Sequence, residues 1–269
     1  MYLRAAHAEA DIPLLQQFIH DNPLGILTTA IKSPNHPLIQ SSHIPFLLDL
    51  PPETNDEEPK YGILRGHIAK QNPQAKVLME ALATHKEKLE TSKESESGSS
   101  LSVELPDEVL ILFNGPHHHY VTPKFYTETK PTTGKVVPTW NYSAVQVYGK
   151  SKIYSDSKSE ETGAFLQKQV EDLSRYAETS VMGYTGREGK PTAWNVGEAP
   201  SSYVELLKKN IIGVEIRIER LQGKFKMSQE MSKGDREGVI KGFEELETDV
   251  GEGIARMVME RGEMKDRRE

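Results

Sequence analysis

The residues best suited to chemistry in this chain of 269 residues are two basic side chains spaced two apart, Arg65 and His67. They stand in the segment YGILRGHIA (61–69), whose composition predicts a strand, so both side chains project from one face. Lys70 follows at once, and Asn72-Pro73 has the residue types of a helix start. Because a helix N-terminus offers backbone N–H donors, the arrangement predicts a phosphate site. The alternative is structural: Arg65 pairs with a surface carboxylate and His67 is a core histidine.

A second polar face precedes this strand in the segment LIQSSHIPFLL (38–48). Period-two alternation places Ile44 and Phe46 on one face and Ser41 and His43 on the other. Together with Arg65 and His67, these small polar side chains favour a ligand site over isolated surface residues.

The segment VVPTWNYSAVQVYG (136–149) joins a polar and aromatic cluster to a buried strand. Pro138 lacks a backbone donor, so it fits the start of an edge strand or a bulge that would re-aim Thr139, Trp140 and Asn141. From Ala144 onward the alternation is typical of a half-buried strand. The alternative here is a core strand whose tryptophan needs a partner for its N–H group.

Two other motifs do not support the chemistry they suggest. In His117-His118-His119 only the outer two side chains share a strand face, and no third ligand stands at an obvious spacing, so we expect no metal site. Gly183, Gly186 and Gly189 have the wrong spacing for a dinucleotide fingerprint. The chain has no cysteine, which excludes disulfides, thiolate metal sites and a cysteine nucleophile.

Composition describes an ordinary soluble protein. The net charge of −7 opposes the basic surface of a DNA-binding protein, so we expect no direct contact with nucleic acid. No signal-peptide pattern and no run of eighteen apolar residues is seen, so we expect a cytoplasmic protein without a membrane span.

The order of elements predicts an α+β fold built on an antiparallel barrel, because short strands occur without regular strand–helix alternation. Asp11 caps a first helix, Ser157 begins a helix that ends near Tyr176, and Asp235 caps a final helix. Gln222-Gly223 is predicted to turn an amphipathic strand (212–218) into a last strand (224–228). Beyond Gly253 we expect a charged tail of uncertain order. The domain predicted over residues 1–232 carries a mobile insertion at about 90–104, and residues 233–269 form a helical extension packed on the same domain.

Several of these segments, taken in order, resemble the motif series of the PaiB-type FMN-binding family, whose historical name is that of negative transcriptional regulators. The resemblance covers most of the chain and is carried by SSHIPFLLD (41–49), LRGHIAKQNPQ (64–74), FNGPHHHYVTPKFY (113–126), VVPTWNY (136–142), GKFKMSQ (223–229) and DREGVIKG (235–242). It implies an FMN-binding split β-barrel that forms a homodimer, with the flavin in a groove between subunits.

The resemblance also implies roles for individual residues. Ser41, Ser42 and His43 would lie near the flavin ring or ribityl chain. The phosphate end would be served by Arg65, Gly66, His67 and Lys70. The residues that would close the groove are Thr139, Trp140, Asn141, Lys226 and Gln229. The sequence departs from the family pattern at Glu230, where the family usually has Asn, at the histidine run 117–119, and in the long insertion at 90–104.

Three functions follow as hypotheses. The first is a flavin-dependent oxidoreductase acting on a small molecule, in which FMN carries the hydride. The second is a non-catalytic flavin-binding transcriptional regulator of the PaiB type. The third is haem binding or degradation, with His43, His67, His117 or His119 as axial ligand.

Overall fold

A computed structural model describes residues 1–50, 60–91 and 103–267. Within these residues the chain forms nine strands. They are β1 (Ala8–Glu9), β2 (Leu24–Ala30), β3 (Ile39–Pro45), β4 (Leu47–Asp49), β5 (Ile63–Ala69), β6 (Glu104–Asn114), β7 (His119–Val121), β8 (Thr139–Tyr154) and β9 (Ile211–Lys226).

Seven α-helices accompany the strands within the same described ranges. They are α1 (Ile12–Asp21), α2 (Pro73–Thr91), α3 (Thr129–Thr132), α4 (Glu160–Tyr176), α5 (Ser201–Lys208), α6 (Lys233–Glu244) and α7 (Asp249–Asp266). Short 3-10 turns occur at Pro123–Phe125 and Val196–Glu198, and a π-helical turn at Ala177–Val181 follows α4.

Hydrogen bonding orders seven strands as β3-β2-β6-β8-β9-β5-β4, with β1 beside β9 and β7 beside β8. Every register that the structure resolves is antiparallel. The two ends of this path, β3 and β4, are separated in the chain by Phe46 alone. A sheet whose first and last strands are consecutive in this way closes on itself, as a barrel requires. The predicted α+β fold on an antiparallel barrel is confirmed.

The chain divides into two compact units, each assembled from separate segments. Unit 1 comprises Met1–Asn22, Phe113–Gln146 and Leu221–Glu269, and unit 2 comprises Pro23–Leu112 and Val147–Arg220. The domain boundary that we predict at residue 232 stays a prediction, and residues 92–102 of the predicted insertion lie outside the described part of the chain.

The core of unit 1 joins the C-terminal helices to earlier segments. Phe243 of α6 and Val258 of α7 are fully buried with Val121, Tyr126 and Met227. The expectation of a tail of uncertain order beyond Gly253 is therefore wrong. The sequence of α7 is highly charged, and its buried face consists of small and aliphatic residues that give only a weak apolar pattern.

Three local predictions also need correction. The N-cap of α4 is Ser159, not Ser157, because Asp156 forms a turn that delays the helix. Ser232, not Asp235, caps α6. β9 runs unbroken through Gln222-Gly223, where the glycine leaves room for the side chain of Leu15 on α1 instead of forming a turn.

No helix within the described residues is long and apolar enough to cross a membrane.

Candidate functional site

In unit 2, Arg65 lies on β5 with only 5% of its surface exposed. Its guanidinium forms a two-pronged ion pair with Asp49, in which Nη2 donates to Oδ1 at 2.9 Å, and it also donates to Asp172 at 2.9 Å and to Gln169 at 3.2 Å. Burial by itself lowers the pKa of Arg65, but the hydrogen bonds and charges of Asp49 and Asp172 outweigh burial and raise it. This geometry argues against the predicted phosphate contact, because two carboxylates already neutralise the cation.

Gly66 and His67, the next two predicted phosphate residues, also have structural explanations. A side chain at Gly66 would place its Cβ 2.9 Å from the ring of Phe46, so glycine is needed here for core packing. Burial lowers the pKa of His67, which favours the neutral imidazole. Its Nδ1 is buried and has no hydrogen-bond partner among the described residues. A neutral ring offers an anion one N–H donor but no positive charge.

Lys70 lies at the turn that leads into α2 and is half-buried. It takes part in no ion pair with any residue that the structure describes, unlike Arg65. Two residues later, Asn72 accepts a hydrogen bond from the backbone N–H of Gln74 at 2.8 Å and donates to the hydroxyl of Ser42 at 3.0 Å. Two polar side chains, Asn72 and Ser42, thus meet at the N-terminus of a 19-residue helix, and Lys70 precedes that helix by three residues in the chain.

The start of α2 is held in place by a residue that the sequence did not single out. The amide of Gln74, 1% exposed, donates to the carbonyl of Leu27 at 3.1 Å, the hydroxyl of Thr29 at 3.0 Å and the carbonyl of Gln40 at 3.2 Å. These bonds fix the first turn of α2, and with it Asn72, against β2 and β3.

Ser41 and His43 lie on the exposed face of β3, whereas Ser42 points to the opposite face, as strand geometry requires. The hydroxyl of Ser41 is 2.8 Å from that of Thr28 on β2. The three predicted residues of this strand therefore belong to two surfaces, and only Ser42 joins the cluster at the start of α2.

In unit 1, Trp140 lies on β8, 49% exposed, in an aromatic cluster with Tyr120 and His118. Its indole N–H donates to Nδ1 of His118 at 3.4 Å. The ammonium of Lys226 on β9 bonds to the hydroxyl of Thr139 and, at 3.2 Å, to the carbonyl of Trp140. The structure thus brings Thr139, Trp140 and Lys226 together, as the resemblance implies. A half-exposed indole beside a fixed cation is suited to stacking a planar ring.

Asn141 and Gln229 also lie in unit 1, but they brace a tight turn. The side chain of Asn141, fully buried, exchanges hydrogen bonds of 3.1 and 3.2 Å with the hydroxyl of Ser228, whose φ of 57° is left-handed. Gln229 accepts from the N–H of Met227 at 2.7 Å and donates to the carbonyl of Ala6 at 2.9 Å. Because these groups satisfy one another, their geometry favours a structural role over direct contact with a cofactor.

The three adjacent histidines have separate surroundings in unit 1. The ring of His117 packs 2.5 Å from where a Cβ at Gly253 would stand, His118 stacks on Trp140, and His119 meets the ring of Phe243 edge-on at 5.4 Å. In the described part of the chain no three residues of ligand type are grouped to hold a metal ion.

Comparison with known proteins identifies the family. A family model described as "Putative FMN-binding domain" matches residues 1–220. The chain is 70% identical, over the whole of both chains, to an uncharacterized protein of Aspergillus fumigatus. It is 24% identical to the "Protease synthase and sporulation protein PAI 2" of Bacillus subtilis, with 96% of this chain and 94% of that protein covered.

Among solved structures, a flavocytochrome of Azotobacter vinelandii aligns with a TM-score of 0.42 at 8% identity, over 81% of this chain and 69% of that one. The family match spans all of the residues of unit 2 and the cluster around Trp140, and it ends before Lys226. Because the family model matches residues 1–220, far more than half of the chain, the protein belongs to this FMN-binding family.

Proposed function

We propose that the protein binds FMN and is an oxidoreductase acting on a small molecule. The observation that carries this proposal is the match of the FMN-binding family model to residues 1–220. When bound, FMN supplies hydride and electron transfer, so the protein need only bind, orient and shield it. Each unit offers its own candidate contacts.

For the phosphate group we propose Lys70 in place of Arg65. Lys70 has no ion-pair partner among the described residues, and it precedes by three residues the N-terminus of α2, where Asn72 donates to Ser42. A phosphate there would gain a charge-assisted contact and the positive end of the helix dipole. Arg65 could donate to a phosphate only by giving up its hydrogen bonds to Asp49 or Asp172.

Independently of the phosphate contact in unit 2, we propose that Trp140 of unit 1 is a stacking surface for a planar ring such as a flavin. Its exposed indole offers a flat apolar surface, and Lys226 holds a positive charge at its backbone carbonyl. A fixed cation near a flavin ring favours the reduced form, which carries more negative charge. Ser41 and His43, exposed on β3, remain proposed contacts to the polar parts of the cofactor.

The phosphate assignment is tested by titrating purified protein with FMN and with riboflavin, which lacks the phosphate. Lys70→Ala should weaken FMN binding by at least about tenfold and leave riboflavin binding unchanged, because only FMN loses a charged contact. Lys76→Ala, on an exposed position of α2, is the matched control and should change neither affinity. Equal weakening of both ligands by Lys70→Ala would contradict the assignment.

The oxidoreductase assignment is tested on the same preparation by adding NADPH or NADH and following the flavin absorbance. Bleaching followed by reoxidation supports the proposal. Tightly bound flavin that no reductant bleaches would contradict the enzyme and favour the flavin-binding regulator. A Soret band lost in one histidine variant would favour haem instead.

We also propose a homodimer, as the family resemblance implies. The exposed stripe of α5 supports it, since Tyr203, Leu206 and Leu207 lie on one helix face and are 54%, 56% and 47% exposed. Light scattering should give twice the chain mass of 30.2 kDa. A cytoplasmic location stays a prediction.

A further inference from the structure

Lys224 of unit 1 is a buried cation that lacks a counter-charge among the described residues. It lies on β9 with only 8% of its surface exposed. Its ammonium group lies over the rings of Tyr142 and Tyr2, 5.2 and 6.0 Å from their centres, and forms no ion pair with any acid of the described chain. Aromatic rings attract a cation, but they offset only part of the cost of removing it from water. The described residues therefore leave the charge of Lys224 uncompensated.

A second lysine without an acid stands on the same face of this strand. Lys226 follows Lys224 by two positions, so both side chains project from one face of β9, with about 7 Å between their Cα atoms. Phe225 points to the opposite face, where its ring meets that of Phe18 edge-on at 5.5 Å. The ammonium group of Lys226 bonds to a hydroxyl and a carbonyl group, which are both neutral. Two positive charges are thus neighbours on one surface, and no acid of the described chain is paired with either.

The acid on the adjacent strand β1 is already paired elsewhere. Glu9 stands opposite Gly223, one position before Lys224. Its carboxylate accepts from Arg261 at 2.6 Å and from two backbone N–H groups at 2.9 and 3.0 Å. The guanidinium of Arg261 in turn lies 3.6 Å from the centre of the Phe225 ring, on the face opposite the two lysines. Glu9 therefore does not supply their counter-charge.

We propose that Lys224 and Lys226 form a binding site for a small aromatic carboxylate. An anion on this surface supplies the missing counter-charge, and its contact with an ammonium group is a charge-assisted hydrogen bond. A carboxylate suits a cation covered to this degree better than a phosphate, because a doubly charged anion loses more hydration on entering the site. Tyr142 and Tyr2 flank the ammonium of Lys224, so a ring attached to the carboxylate meets aromatic surface there.

The probe is sodium benzoate, titrated into the full-length protein by saturation-transfer NMR at constant ionic strength, because salt screens charge pairs. Benzamide has nearly the same shape without the charge and should bind at least about tenfold more weakly. Lys224→Met keeps an unbranched apolar stem and should weaken benzoate binding by a similar factor. Lys241→Met on α6 is the matched control and should not change it, because the side chain of Lys241 is 77% exposed and takes no part in the site.

Equal binding of benzoate and benzamide to the unaltered protein would overturn the proposal, and that comparison does not depend on any variant folding. So would benzoate binding that survives Lys224→Met, or that falls equally in Lys241→Met. Inorganic phosphate that binds more tightly than benzoate would overturn the choice of a carboxylate. Because no flavin is added, the result is independent of FMN binding.

Discussion

Replacing Arg65 with alanine separates a structural arginine from a phosphate ligand. The substitution removes the hydrogen bonds to Asp49, the bond to Asp172 and the bond to Gln169. If these contacts hold unit 2 together, the loss appears in folding stability. If Arg65 instead binds phosphate, the loss appears in the affinity for FMN relative to riboflavin.

The expected cost follows from what the partners keep. Removing one member of a buried ion pair costs about 3–5 kcal/mol when the other charge is left unpaired. Asp172 retains Lys168 and Arg175, and the side chain of Asp49 is 45% exposed and can be hydrated. Gln169, fully buried, loses the donor to its side-chain oxygen. We therefore expect the free energy of unfolding to fall by about 3 kcal/mol, the lower end of that range.

Urea unfolding followed by circular dichroism measures the stability term, and fluorescence titration with FMN and riboflavin measures the binding term. Arg65→Ala should weaken both ligands equally or not at all. Arg217→Ala is the control, because Arg217 pairs with Glu104 but its side chain is 42% exposed. An exposed pair of this kind contributes at most about 1 kcal/mol.

The opposite pattern would refute the assignment. An Arg65→Ala protein as stable as the unaltered one, with FMN affinity reduced tenfold relative to riboflavin, would show that the guanidinium exchanges its carboxylates for phosphate. Arg65→Lys then adds a second readout. It keeps the charge but loses the two-pronged geometry, so it should preserve phosphate binding in that case and lose stability in ours.

Two further predictions concern packing and pH. Gly213→Ala should reduce the free energy of unfolding by about 1–3 kcal/mol, because the Cβ of the new alanine would overlap the ring of Phe165. Gly163→Ala in α4 is the control: open space surrounds this position, so the free energy of unfolding should rise by up to about 1 kcal/mol. A loss of stability in both variants would contradict the packing argument. Burial raises the pKa of Glu215 despite the charge of Lys152. The ionised carboxylate therefore destabilises the folded state at pH 7. The folded state regains this stability as the pH falls through the folded-state pKa of Glu215. Glu215→Gln should therefore be more stable than the unaltered protein at pH 7, as measured by urea unfolding. The difference in stability should shrink towards pH 4.5, the ordinary pKa of a glutamate. A variant that is less stable than the unaltered protein at pH 7 would contradict this reasoning.

Where periodicity dominates, the sequence was sufficient to predict the structure. Ile212, Val214, Ile216 and Ile218 alternate with polar residues, and all four are buried in β9. Asp11 accepts a hydrogen bond from the N–H of Leu14, as its place before the apolar face of α1 predicts. In both cases the signal is local, and no distant residue competes with it.

Errors arose where a residue type serves a distant neighbour. Glycine is a residue type typical of turns, but Gly223 lies inside β9, where it pairs with β1. Glycine is needed at this position because Leu15 approaches too closely for any side chain. Asp235 has the composition of a helix cap, but its carboxylate accepts from the backbone N–H groups of Glu128 and Thr129 at 2.9 and 3.0 Å. Both contacts join residues that lie more than a hundred positions apart in the chain. A local sequence pattern therefore cannot reveal them.

The same reasoning supports the proposal that Lys70, and not Arg65, contacts a phosphate. Residue type and spacing identify Arg65 and Lys70 as candidate cations. Whether each cation can bind an anion depends on the carboxylates that already surround it in the fold. Asp172 lies 107 positions from Arg65 and reaches it only because α4 lies against β5. A buried arginine that already holds two carboxylates must break those bonds to bind a third anion, whereas Lys70 has none to break among the described residues. A cation that pairs with none of the described acids can bind a ligand without breaking an ion pair, and this is the reason for proposing the lysine at this strand-to-helix turn.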